Sequence, residues 1–106
     1  MKLLIASDLH GAAPAVRALD ARAEAESPDR IVLLGDLLYH GPRNDLPEGY
    51  APKEALAVLN GWSARAVAVR GNCDTEVDQM VLDFPCLADY ALVGADGHML
   101  YLTHGH

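Results

Sequence analysis

The chain has 106 residues, 51% of them hydrophobic, and its 15 acidic against 8 basic residues give a net charge of −7. This length predicts one small domain with its own core, and the acidic balance opposes binding to duplex nucleic acid, whose phosphates attract basic surfaces. No apolar stretch approaches the roughly 20 residues that span a bilayer, and two cysteines are too few for a disulfide-stapled secreted scaffold, so we expect a soluble cytoplasmic protein without a membrane partner.

The first third of the chain alternates strand and helix patterns. A short apolar run predicts a strand at about Lys2 to Ala6, and a second predicts one at about Arg30 to Leu34. Between them, apolar residues at helical spacing predict a helix from about Pro14 to Glu26, which Ser27-Pro28-Asp29 would end. These three segments form one βαβ unit.

An irregular segment from Leu37 to Ala51 follows, and it is too long for a simple connection. Loops of this length usually carry function. Beyond it we predict a helix from about Pro52 to Leu59 and a strand from about Arg65 to Val69.

The remaining pattern predicts a short helix and a hairpin. Thr75 and Asp78 have the spacing of a capping box, which predicts a short helix that ends before Pro85. Strands at about Tyr90 to Val93 and His98 to Thr103 flank an Asp-Gly turn, so this pair should be antiparallel.

Four of the apolar runs end in residues that bind metals. Parallel sheets bring the carboxyl ends of their strands together, so these side chains should converge on a two-metal site. Each motif has a bland alternative when taken alone: a turn cap for Asp8, a β-turn for Asp36, an Asx turn for Asn72 and a disordered tail for His104. Their order and their placement after successive strands favour the metal site. The residues are Asp8 and His10, Asp36, Asn72, and His104.

The motifs Asp-x-His, Gly-Asp, Gly-Asn-x-Asp and Thr-His-Gly-His, in this order, resemble the calcineurin-like metallophosphoesterase superfamily. More narrowly, His40–Tyr50 together with Gly71–Asp74 resembles the bacterial YfcE-type phosphodiesterases. The resemblance covers the whole chain as the amino-terminal part of such a protein. It implies an α/β fold, the metallophosphoesterase αββα sandwich, of which a single domain at residues 1–106 would form the amino-terminal portion.

The resemblance also implies two divalent metal ions, commonly Mn²⁺, with Zn²⁺, Fe²⁺ and Ni²⁺ as alternatives. Asp8 and His10 would bind the first ion, Asp36 would bridge, and Asn72 and His104 would bind the second; His106 matches the motif without a ligand role. Catalytic roles are implied for Asp36, Asn72 and Asp74. The expected reaction is hydrolysis of a small phosphodiester by a hydroxide that bridges the two ions.

Family members continue to a Gly-His-x-His motif, whereas this chain ends at His106. We therefore expect weak metal binding and poor activity from the 106 residues alone, and self-association through uncovered apolar sheet faces. The alternative function is a non-catalytic binding or scaffold protein with the same fold and an incomplete metal site.

Two further residues are candidates for substrate binding. Cys73 occupies a position where many superfamily members carry a histidine that protonates the leaving group, so we expect a preference for esters with good leaving groups; the alternative is a small, half-buried apolar residue. Arg43 matches the geometry of a phosphate oxygen pair, and the alternative is a salt bridge to Asp45 or Glu48.

Overall fold

A computed structural model describes residues Met1 to His106. Every predicted helix and strand is present, and where bounds were predicted the ends differ by no more than two residues. The elements are β1 (Leu3–Ala6), α1 (Ala13–Glu26), β2 (Arg30–Leu33), α2 (Pro52–Gly61), β3 (Ala66–Ala68), α3 (Glu76–Val81), β4 (Ala91–Ala95) and β5 (His98–Leu102).

The first three strands form a parallel sheet in the order β1-β2-β3. The central strand β2 contains Ile31, Val32 and Leu33, which are all fully buried. A continuous apolar run of this kind is typical of a parallel strand that is covered on both faces. Strands β4 and β5 pair antiparallel, as the Asp-Gly turn predicted.

The two faces of β2 contact different layers. Ile31 and Leu33 belong to the larger core cluster, which also contains Val16 of α1 and Leu59 of α2. Val32 points to the opposite face and packs in a second cluster that includes Leu102 of β5. Alternation along one strand therefore fixes three layers in residues 1–106: helices, parallel sheet and hairpin.

The loops that follow the parallel strands interlock at the carboxyl edge of the sheet. The amide of Asp8 donates to the carbonyl of Gly35 at 3.0 Å, and the amide of His10 donates to the carbonyl of Asp36 at 2.9 Å. A Cβ atom at Gly35 would lie 2.3 Å from the amide nitrogen of Gly71, so this contact requires glycine. The chain thus brings the β1, β2 and β3 loops into direct contact.

Aromatic packing orders the long segment between β2 and α2. The ring of His40 makes edge contacts with Tyr39 and Tyr50, at centroid distances of 4.8 and 5.3 Å. The amide of Gly11 donates to the carbonyl of Leu37 at 2.9 Å, which fixes the segment against the β1 loop. No helix of the chain is both long enough and apolar enough to cross a membrane.

The capping box predicted for α3 is confirmed, since the Asp78 carboxylate accepts hydrogen bonds from the amide and the hydroxyl of Thr75, at 2.6 and 3.1 Å. This ties the start of α3 to the end of the β3 loop, so the helix lies close to the edge where the polar residues gather.

Candidate metal centre

Three of the predicted ligands have backbone angles that side-chain-bearing residues rarely adopt. The φ angles of Asp8, His10 and Asp36 are +58°, +46° and +57°. This left-handed region is disfavoured for residues other than glycine, and such strain persists where the surrounding structure imposes it, often at functional sites. The strain turns the three side chains toward one another at the end of the sheet.

Asp36 lies at the centre of the cluster and is only 2% exposed. Its Oδ1 accepts a hydrogen bond from the Cys73 amide at 2.7 Å. Its Oδ2 lies 3.4 Å from Nε2 of His104 and 3.7 Å from Nε2 of His10. One oxygen therefore holds the carboxylate in place, and the other faces two imidazoles.

Backbone carbonyls orient both of these histidines. Nδ1–H of His10 donates to the carbonyl of Tyr39 at 2.7 Å, and Nδ1–H of His104 donates to the carbonyl of Leu34 at 2.6 Å. A carbonyl can only accept, so Nδ1 carries the proton in both rings. In the neutral tautomer Nε2 then presents a lone pair to the cluster, as in histidines that bind metals.

Asn72 adds a fourth acceptor to the same space. Its Oδ1 lies 3.0 Å from Nε2 of His104, and its amide nitrogen donates to Sγ of Cys73 at 3.6 Å. The lone pairs of Nε2, the amide oxygen and the Asp36 carboxylate thus converge. Converging acceptors are stabilised by a cation between them, and carboxylate, imidazole and amide oxygen suit divalent metals.

The ligand atoms form two groups that share Asp36. In one group the atoms of Asp8, Asp36 and His104 lie within 4.8 Å of one another, and in the other those of His10, Asp36 and Cys73 do. The chain therefore brings all five predicted ligands to one edge, and Cys73 joins them. The division of Asp8 and His10 on one ion, and Asn72 and His104 on the other, stays a prediction.

The environment of Asp8 favours its charged form. Burial alone would raise the pKa of this carboxyl, but the hydrogen bond from Ser7 and the neighbouring His104 and His10 outweigh it, and the pKa is lowered. Asp8 is thus an anion at neutral pH, as a metal ligand must be.

The side chain of Asp74, for which a catalytic role is predicted, contacts the backbone of the ligand-bearing loops. It is 2% exposed, and its Oδ2 accepts hydrogen bonds from the amides of Asp36 and Gly71 at 2.8 and 2.7 Å. Its Oδ1 accepts one from the amide of Leu37 at 3.1 Å. Both oxygens are engaged with the backbone of the ligand-bearing loops, so the geometry favours a positioning role over direct catalysis.

Arg43 and Cys73 line a polar cavity of about 310 Å³ beside the cluster, together with Gly41, Asn44 and Asn72. Arg43 forms no salt bridge with Asp45 or Glu48, so the bland alternative for this residue is not observed. Burial, together with the charges of nearby carboxylates, raises the pKa of the Cys73 thiol. The cavity therefore offers a free guanidinium and a neutral thiol.

Some contributors have no sequence signal. The carbonyls of Tyr39 and Leu34 orient the two histidines, and any residue type supplies a carbonyl. The hydroxyl of Ser7 donates to Asp8, and only its position beside a predicted ligand could have suggested that. His106 packs its ring against His104 at a centroid distance of 5.2 Å and contributes no atom to either ligand group.

The chain is similar to known proteins over its full length. The family model described as the calcineurin-like phosphoesterase superfamily domain matches residues 1–106. Phosphodiesterase YfcE from Escherichia coli K12 and its counterpart from strain O157:H7 are each 51% identical over 107 residues, which include all of this chain and 58% of theirs. A solved structure of YfcE, described as a phosphoesterase from E. coli, superimposes with a TM-score of 0.97 at 49% identity, and the chain covers 58% of it.

Proposed function

This chain belongs to the calcineurin-like phosphoesterase superfamily, and on that premise we propose that it hydrolyses small phosphodiesters at a site for two divalent metal ions. The chain spans 58% of the length of its curated relatives, so the activity is proposed for the site that these residues build. The observation that supports it most strongly is the pair of ligand groups that share the buried Asp36.

The residues that would hold the ions supply the donor atoms that divalent metals require. Asp8, His10 and Asp36 supply two carboxylates and an imidazole, and Asn72 and His104 supply an amide oxygen and a second imidazole. This donor mixture suits Mn²⁺ better than softer ions, so we propose Mn²⁺ first. When bound, a pair of divalent ions lowers the pKa of water toward neutrality and offsets charge on the phosphoryl oxygens.

The chain's own groups position the substrate. The exposed guanidinium of Arg43 matches two phosphoryl oxygens and would hold the diester in the polar cavity. The net charge of −7 disfavours a long polyanion such as duplex nucleic acid, which supports a small substrate. The neutral thiol of Cys73 is a weak proton donor, so the site should favour esters whose leaving group departs without help.

A metal-dependent turnover assay tests the proposal. The protein is stripped with EDTA, and hydrolysis of bis(p-nitrophenyl) phosphate is followed with and without added Mn²⁺. We expect turnover that is slow, in line with the weak metal binding expected for these 106 residues, and that appears only with the metal, because the acceptors at the sheet edge need a cation to act on phosphate.

Paired histidine variants provide the control. His104→Ala removes a ligand, whereas His98→Ala removes an exposed histidine of β5 that lies outside both ligand groups. We expect the first to lose turnover and the second to retain it. Equal activity in both variants, or turnover without metal, would contradict the proposed site; Mn²⁺ binding without turnover would favour a scaffold protein instead.

A further inference from the structure

Three cavities lie side by side at the edge of the molecule and share lining residues. The polar cavity beside the ligand cluster shares Cys73 with a second cavity of about 280 Å³. That second cavity shares Tyr39, Val77 and Asp78 with a third, of about 340 Å³. Because each cavity shares lining residues with the next, they mark a path of adjacent cavities from the candidate metal centre toward the surface between the long loop, α2 and α3.

The chemical character changes along this path. The inner end carries Arg43, Asn44 and Asn72, which suit a charged phosphoryl group. The outer cavity, which we call the apolar groove, is lined largely by carbon and includes Tyr50, Leu56, Val77 and Val81. Such a cavity is large enough for a ring-sized group, and apolar walls with a few polar groups are typical of small-molecule sites.

The position of Tyr39 connects the two ends. Its side chain lines both outer cavities, and its carbonyl accepts the hydrogen bond that orients His10. Tyr39 therefore both lines the apolar groove and positions a candidate metal ligand.

We propose that the apolar groove binds an aryl or aralkyl ester group of a phosphodiester whose phosphoryl group lies in the polar cavity. This inference rests on the proposed function, which supplies the phosphodiester. A phosphodiester has two ester groups on one phosphorus atom, so a group that reaches past Cys73 is available whichever bond breaks. The substrate class is thus a phosphodiester with at least one bulky apolar alcohol component.

Binding of two symmetric diesters tests the proposal on the Mn²⁺-loaded full chain by calorimetry. Dibenzyl phosphate and dimethyl phosphate carry the same charge and differ in apolar size, and neither has a good leaving group. We expect dibenzyl phosphate to bind at least about tenfold more tightly, because hydrophobic pockets discriminate by this order for each small apolar group. Equal affinities, or no binding of dibenzyl phosphate, would overturn the proposal that the apolar groove binds an ester group.

Two variants on one helix localise the effect. Val77 is 67% exposed and lines the groove, whereas Met80 is 82% exposed and lines none of the three cavities. Val77→Ser should weaken dibenzyl phosphate binding about tenfold, and Met80→Ser should leave it within about twofold of the parent. Val81→Ser provides a second groove variant if Val77→Ser fails to fold. Equal losses in the groove and control variants would overturn the proposal.

The possible outcomes distinguish failure of this inference from failure of the proposed function on which it rests. Selective binding of dibenzyl phosphate without turnover of bis(p-nitrophenyl) phosphate would refute the proposed function and leave the groove as a ligand site. Turnover without selectivity would refute the groove alone. A dimer in sedimentation analysis that Val77→Ser dissociates would assign the groove to a second copy of the chain and overturn the proposal.

Discussion

Two regions at the edge of the parallel sheet differ in how they use a buried carboxylate. In the ligand cluster, Asp36 accepts one hydrogen bond from Cys73 and leaves its second oxygen facing two imidazoles. In the region behind it, Asp74 accepts three hydrogen bonds from backbone amides. Both side chains are 2% exposed, so burial does not distinguish them. Asp36 therefore keeps one oxygen available to a ligand, whereas both oxygens of Asp74 are hydrogen-bonded to the backbone.

The largest expected effect comes from a change at Asp36 in the ligand cluster. Asp36→Asn should lower Mn²⁺-dependent turnover of bis(p-nitrophenyl) phosphate by more than about 100-fold, because loss of a group that only orients a metal ligand already costs about 10–100-fold in metal affinity or activity. The asparagine oxygen can still accept from the Cys73 amide, so the free energy of unfolding should change by less than about 1 kcal/mol. Activity that survives this change would remove the bridging role.

The matched change at Asp74 should instead have its main effect on the free energy of unfolding. Asp74→Asn replaces a carboxylate that three amides require, and hydrogen bonds to charged groups contribute about 1.5–3 kcal/mol each. We expect urea denaturation to report a loss of about 3 kcal/mol, and calorimetry to report Mn²⁺ affinity lowered by about 10–100-fold. A folded variant of parental stability would show that Asp74 does not hold the two loops together.

A third change tests whether the neutral thiol of Cys73 limits the leaving groups that the site can use. Cys73→His places an imidazole beside the shared carboxylate, and general acid assistance is typically worth about 10²–10⁴-fold. We expect faster hydrolysis of diesters with alkoxide leaving groups and little change for p-nitrophenolate esters. The ratio of the two rates in parent and variant is the measurement. An unchanged ratio would count against the proposed leaving-group preference.

Sequence patterns predicted the helices, the strands and the convergence of the candidate ligands. Local residue types determine the apolar periodicity, and the order of strands and helices indicates a parallel sheet whose strand ends meet. The capping box at Thr75 is an example, since the residue types themselves make the hydrogen bonds. The sequence implied catalytic roles for both Asp36 and Asp74, and it did not show that the oxygens of Asp74 are bonded to backbone amides. Each follows or precedes glycine-rich turns, and only the structure reveals which amides reach which oxygen.

The left-handed backbone of Asp8, His10 and Asp36 was likewise not predictable, because nothing in their residue types requires it. The same holds for the carbonyls of Tyr39 and Leu34, which orient the histidines. Tertiary contacts between loops that are distant in sequence impose these features. Pattern analysis therefore identifies candidate ligands and misses the backbone groups that position them.

The smallest effect concerns Cys86, whose pKa depends in part on the nearby charge of Asp74. Burial, and then the charges of Asp74 and Asp78, raise the pKa of this thiol from 9.0 to about 11. Between these values the unfolded chain loses the proton and the folded chain keeps it, so the free energy of unfolding should fall as pH rises from about 9 to about 11. The total fall attributable to this group is at most about 3 kcal/mol, since each pKa unit corresponds to about 1.4 kcal/mol.

Cys86→Ala isolates this contribution, because lysines and tyrosines titrate in the same range and must be subtracted. Denaturation curves at several pH values should give a steeper decline for the parent than for the variant, with the two running parallel below pH 9. In an Asp74→Asn background the difference should shrink, since one of the charges that raises the pKa is gone. Parallel curves across the whole range would mean that burial and the charges of Asp74 and Asp78 do not hold Cys86 in its protonated form.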